Sequence, residues 1–71
     1  MGTDDAFTRY YAACAYALQG EVEAALDSLE KTARMRRAYT VARARIEPHF
    51  EALRAEPRFR QIVGERTGAG A

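Results

Sequence analysis

The chain predicts an all-α fold, and three observations carry that expectation. Alanine and arginine, both near the top of the helix-propensity scale, are spread along all 71 residues. Apolar residues recur at three- and four-residue spacing, the period of a helix that buries one face. Gly20, Pro48 and Pro57 stand where one periodic stretch gives way to the next.

Thr3, Asp4 and Asp5 offer a capping oxygen and first-turn acids, so a first helix is expected from Asp4 to Gln19. Phe7, Tyr10, Tyr11, Cys14, Ala17 and Leu18 share one side of it, while Ala12, Ala13 and Tyr16 lie elsewhere on the cylinder. No residue from Tyr10 to Leu18 is charged, and a helix apolar all round expects neighbours on several sides. Gly20 can take the left-handed conformation that ends such a helix.

The second helix, Glu21 to Arg36, is plainly amphipathic, with Val22, Ala25, Leu26, Leu29 and Ala33 on one stripe. Asp27 with Lys31 and Glu30 with Arg34 are acid-before-base pairs four apart on its solvated side. Two helices joined through one glycine form an antiparallel hairpin. A third helix is expected over Ala38 to Ile46, with the stripe Tyr39, Ala42, Ile46, Phe50 and Leu53 running on past Pro48. Proline suits a first helical position, so a break is expected at Glu47, a short helix from Pro48 to Ala55, and another from Pro57 to Glu65 burying Phe59, Ile62 and Val63. Residues 1–66 then make one domain and residues 67–71 a disordered tail.

A chain of this size buries only ~60% of its unfolded surface and usually needs a staple or a partner. Cys14 is the single cysteine, so no internal disulfide forms; with His49 it falls short of a zinc ligand set unless carboxylates fill in, and neither a metal nor a cofactor is expected. Ten arginines and one lysine against ten acids leave a net charge of +1, too little to draw the chain to nucleic acid or membrane as a whole. No run approaches the ~20 apolar residues of a membrane span, and the acidic start "MGTDDAFTR" is unlike a secretory signal, which makes a cytoplasmic location the expectation.

Catalysis finds no foothold. Cys14 sits among apolar residues with no nearby base, Ser28 likewise lacks one, and Glu47 and His49 are spaced so as not to share a helical face. No catalytic residue is assigned. The arginines of "RMRRAYTVARAR" scatter over two faces, which disfavours nucleic acid and leaves Arg34, Arg36 and Arg37 as a possible patch for an acidic partner.

Helix, glycine turn, helix, with small residues where the two cross, resembles the tetratricopeptide repeat. Ala13 stands at the repeat's glycine, Tyr16 at its tyrosine, Ala25 at its alanine, Leu29 at its large hydrophobe and Gly20 at its turn, over residues 7–37. Arg9, Ala12 and Arg37 replace its tryptophan, leucine and closing proline. "IEPHFEALRAEPRFRQIV" is similar to the tail that closes such arrays in bacterial regulatory proteins, through Pro48, Phe50, Leu53, Arg54, Pro57, Arg58 and Phe59. The resemblance implies that Tyr16 and Leu29 fill the seam and that Phe7, Tyr10, Cys14, Ala17 and Leu18 face the concave, ligand-binding side.

The expected function is a non-catalytic protein-interaction module that docks through Phe7, Tyr10, Tyr11, Cys14, Ala17 and Leu18, with self-association favoured. The alternatives are the end piece of a longer regulatory protein with a peptide-binding array, and an arginine-mediated binder of nucleic acid or an acidic partner.

Overall fold

The computed structural model describes residues 5–64, which form five helical segments and, among the described residues, no strand. Helix α1 (Ala6–Leu18) starts where a carboxylate is at hand: Asp5 is extended, and its Oδ1 accepts the amide of Thr8 at 2.8 Å. Asp5 therefore takes the capping role expected of Thr3, and α1 begins two residues later than the sequence suggested; Thr3 lies outside the described residues. At the other end Gly20 has φ +80°, the amide of Glu21 donates to the carbonyl of Tyr16 at 2.9 Å, and that of Gly20 to Ala17 at 3.1 Å. These are the two bonds of a Schellman motif, which needs a left-handed residue where Gly20 stands.

Helix α2 (Val22–Met35) packs along α1. With only residues 19–21 between them the two run antiparallel. Ala13 and Ala25 are fully buried and let the helices approach, while Tyr10, Leu26 and Leu29 fill the space around them. Tyr16 does not fill the seam as expected. It lies six residues beyond Tyr10, roughly 120° farther round the helix, and is exposed.

A single non-helical residue, Arg36, separates α2 from α3 (Arg37–Ile46). Thr40 and Ala44 are the buried residues of α3, small enough to lie close to their neighbours. The stripe expected from Tyr39 through Ile46 to Leu53 is overturned: Ala42 and Ile46 are exposed. The helical phase ends at Glu47, whose extended backbone (φ −78°, ψ 113°) is what a residue before proline adopts.

From Pro48 to Leu53 the chain forms a 3-10 helix rather than the longer α-helix expected, with Phe50 off helical geometry. Three residues per turn put Phe50 and Leu53 above one another, and both are fully buried. Glu56 repeats the extended pre-proline step, and α4 (Pro57–Ile62) buries Phe59 and Ile62, with Val63 next to it. The helix expected to reach Glu65 stops at Ile62 instead: Val63 and Gly64 form a turn, with Gly64 at φ +72°, a left-handed conformation that ends a helix, while Glu65 and the tail of residues 67–71 fall outside the described residues.

Aromatic rings stitch the hairpin to the rest. Phe7 meets Tyr39 edge-on at 4.9 Å between centroids, Tyr39 meets Tyr10 at 5.8 Å, Tyr10 meets Phe50 at 5.6 Å and Phe50 meets Phe59 at 5.9 Å. Such pairs are worth ~0.5–1.5 kcal/mol each beyond the area they bury. Outside this line Arg58 reaches from α4 across to α2, with Glu23 at 3.1 Å, Asp27 at 2.8 Å and Glu30 at 3.0 Å. Asp27 and Glu30 thus bind Arg58 and not, among the described residues, the Lys31 and Arg34 of their own helix. The guanidinium of Arg58 offers several donors in a fixed fork and reaches all three acids at once.

Two substitutions probe this core. Phe50→Ala removes a ring that touches both Tyr10 and Phe59. It should cost ~3–5 kcal/mol, comparable to the whole stability of so small a domain, and abolish the cooperative thermal transition seen by circular dichroism. Thr40 carries a buried hydroxyl that makes no hydrogen bond. Thr40→Val should therefore stabilise the fold by about 1 kcal/mol in urea denaturation, and a loss of stability would show that the hydroxyl is satisfied in solution.

Candidate functional site

The apolar residues of α1 divide into two arcs. Ala6, Tyr10, Ala13, Cys14 and Ala17 are buried against the rest of the fold. Phe7, Tyr11 and Leu18 are 45%, 64% and 67% exposed. The last three are spaced four and seven residues apart, within roughly 40° of one another, so they form one outward stripe beside the buried arc. Of the six residues expected to dock a partner, the structure therefore leaves three at the surface and takes Tyr10, Cys14 and Ala17 inside. The reason is the closing segment: Tyr39 and Phe50 fold over Tyr10 and cover the side that the resemblance had made concave.

Phe7 is not bare throughout, since Tyr39 flanks it and the guanidinium of Arg36 lies 5.5 Å from its ring centroid. Arg36 nonetheless lines one surface depression together with Arg37 of the expected acidic-partner patch. Arg34 and Arg37 line a shallow groove with Glu30, Ala33, Gln61 and Ile62. Farther along, Arg45 donates to the carbonyl of Val63 at 3.0 Å, and Arg43 lies over the rings of Tyr10 and Tyr39. Much of the basic stretch is thus engaged with its own fold.

Behind the stripe lies a polar cluster centred on Glu47. Its position follows from the pre-proline step, which swings the residue out of helical register and under α1. Oε1 accepts the hydroxyl of Tyr10 at 2.7 Å and has Arg43 Nη2 at 3.6 Å, while Oε2 faces Nδ1 of His49 at 2.7 Å. Burial by itself would raise the Glu47 carboxyl, but the Tyr10 hydrogen bond and the charge and hydrogen bonds of His49 outweigh it and hold the group below the usual carboxylate range. Burial, and then the bond to this carboxylate, keep the Tyr10 phenol well above its ordinary value, so it remains a donor. Burial, with the Glu47 charge second, pushes the Cys14 thiol up to about 11.

One ring nitrogen of His49, Sγ of Cys14 and a carboxylate oxygen of Glu47 lie within 4.8 Å of one another. The two-residue spacing of Glu47 and His49 would not put them on one helical face. They meet because Glu47 is extended and His49 begins the next turn. One signal pointed to Glu47: it is the single acid between Lys31 and Phe50, in a stretch otherwise basic or apolar.

No family model, no curated protein and no solved structure matches the chain. Among the described residues no helix is long and apolar enough to cross a membrane.

Tyr10→Phe keeps the ring and deletes the donor to a buried carboxylate. It should cost roughly 2 kcal/mol in urea denaturation, the value of a hydrogen bond to a charged group; an unchanged midpoint would mean that water replaces the phenol there.

Proposed function

We propose that this chain is a non-catalytic protein-interaction module of tetratricopeptide type that docks a second copy of itself through Phe7, Tyr11 and Leu18. The observation that carries the reading is the outward stripe on α1, where two aromatic rings and a leucine stay exposed after the fold has closed. An aromatic body with a polar tip, as in Tyr11, is the side chain most often enriched where proteins meet. The hairpin geometry, with Ala13 and Ala25 in the seam and the glycine turn at Gly20, supports the repeat-like part of the reading.

A second copy is favoured as the occupant because the net charge of +1 sets up little long-range repulsion between copies, and because an apolar stripe along one helix can complement itself about a two-fold axis. At ~25 cal/mol per Å2, a few hundred Å2 buried on each copy is worth several kcal/mol before the entropic cost of association. The buried Tyr10, Cys14 and Ala17 act indirectly, by fixing the angle at which the stripe is presented.

The test is molar mass by light scattering against concentration. Mass should rise with concentration toward a dimer, and Tyr11→Glu should shift the midpoint at least tenfold while leaving the helical circular dichroism unchanged. A parent chain that stays monomeric at every concentration removes self-association from the proposal.

A further inference from the structure

We propose that Cys14, Glu47 and His49 form a zinc site with three protein ligands and a fourth position open to solvent. The three come from different parts of the fold: Cys14 from the buried arc of α1, Glu47 from the extended step after α3, and His49 from the 3-10 helix. Thiolate, carboxylate and imidazole together are a donor set for zinc, whereas magnesium and calcium take oxygen alone. This inference is independent of the docking stripe, which none of the three residues belongs to.

The geometry is close to what the ion needs. Ligand bonds of ~2.0–2.3 Å set tetrahedral ligand atoms roughly 3.5 Å apart. The atoms here lie within 4.8 Å of one another, so the remaining adjustment is on the order of 1 Å. His49 can supply it by rotation, because its side chain is half exposed while those of Cys14 and Glu47 are buried. The exposed imidazole also marks the way in for the ion.

The surroundings are arranged as a metal site requires. Tyr10 fixes Oε1 of Glu47 through its hydroxyl, which orients the carboxylate and leaves Oε2 toward His49. Outer partners of this kind set ligand direction in metalloproteins. On binding, the Cys14 thiol gives its proton to solvent as an S–Zn bond forms, and the imidazolium of His49 gives its Nδ1 proton to solvent as well, keeps the hydrogen on Nε2 and donates the freed Nδ1 lone pair to the ion. The two anionic ligands balance the dication, so Arg43, near Oε1 and partly in solvent, meets no excess positive charge. The bound ion would tie α1 to the junction after α3, the staple that a domain of this size usually needs.

Cobalt(II) and zinc titrations of the purified full chain test the site. One cobalt per chain should bind with thiolate-to-cobalt charge-transfer absorption, zinc should displace it, and zinc should raise the melting temperature of the parent. His49→Ala, at a half-exposed position, should leave the fold intact and weaken cobalt binding roughly tenfold or more, since even the loss of an outer partner has that effect. Cys14→Ala should abolish the charge-transfer band and the zinc-dependent stabilisation. Binding without a thiolate band, or equal affinity in His49→Ala, overturns the assignment, and the second holds whether or not Cys14→Ala folds.

Discussion

The hydrogen bond from the Tyr10 hydroxyl to the Glu47 carboxylate is the contact on which the remaining structure turns. A buried charge is costly unless it is paired, and here a phenol, an imidazole and a guanidinium surround it. To make that bond the chain after α3 must return beneath the first helix, and once it does Tyr10 is enclosed by Tyr39 and Phe50. The ring packing and the polar cluster are thus two aspects of one closure. Loss of the carboxylate would leave Tyr10 with a buried hydroxyl, and loss of the phenol would leave a buried charge short of a donor.

Closure also decides which parts of α1 can meet another molecule. Periodicity shows that a helix has an apolar side, but the angular width of that side is larger than the width any one neighbour covers. The closing segment takes the part centred on Tyr10 and Ala17 and leaves the part centred on Tyr11. Tyr16, Met35 and Ile46 are exposed elsewhere, but on this side of α1 the chain therefore satisfies most of its own apolar demand and keeps one narrow stripe over. That is less surface than an all-apolar helix implies, and it is more sharply directed.

Much of the fold could be read from residue types. The helix spans, the turn at Gly20 and the breaks before both prolines follow from propensity, capping and proline sterics, all local effects. The buried stripe of α2 was legible for the same reason, since Ala25, Leu26, Leu29 and Ala33 recur at helical spacing. What escaped was long-range. Neither the partners of Arg58 nor the bond from Tyr10 to Glu47 can be inferred from spacing, because they join residues some thirty or more positions apart in sequence. Half of the candidate docking set went inside for that reason. The resemblance to a repeat also misled on Tyr16, whose place in the seam is taken here by Tyr10.

The sequence separations set an order of assembly. The α1–α2 hairpin joins neighbours through a tight turn, whereas Tyr10 reaches Glu47 across 37 positions and Arg58 reaches Glu23 across 35. Contacts between distant positions carry a larger loop-closure entropy than local ones, so they consolidate after the hairpin. During synthesis the hairpin must then wait, with the tyrosine flank still wet, until residues past Phe59 have left the ribosome. Its vulnerability to proteases and to wrong partners is greatest in that interval, and it ends when the arginine latch of the last helix engages.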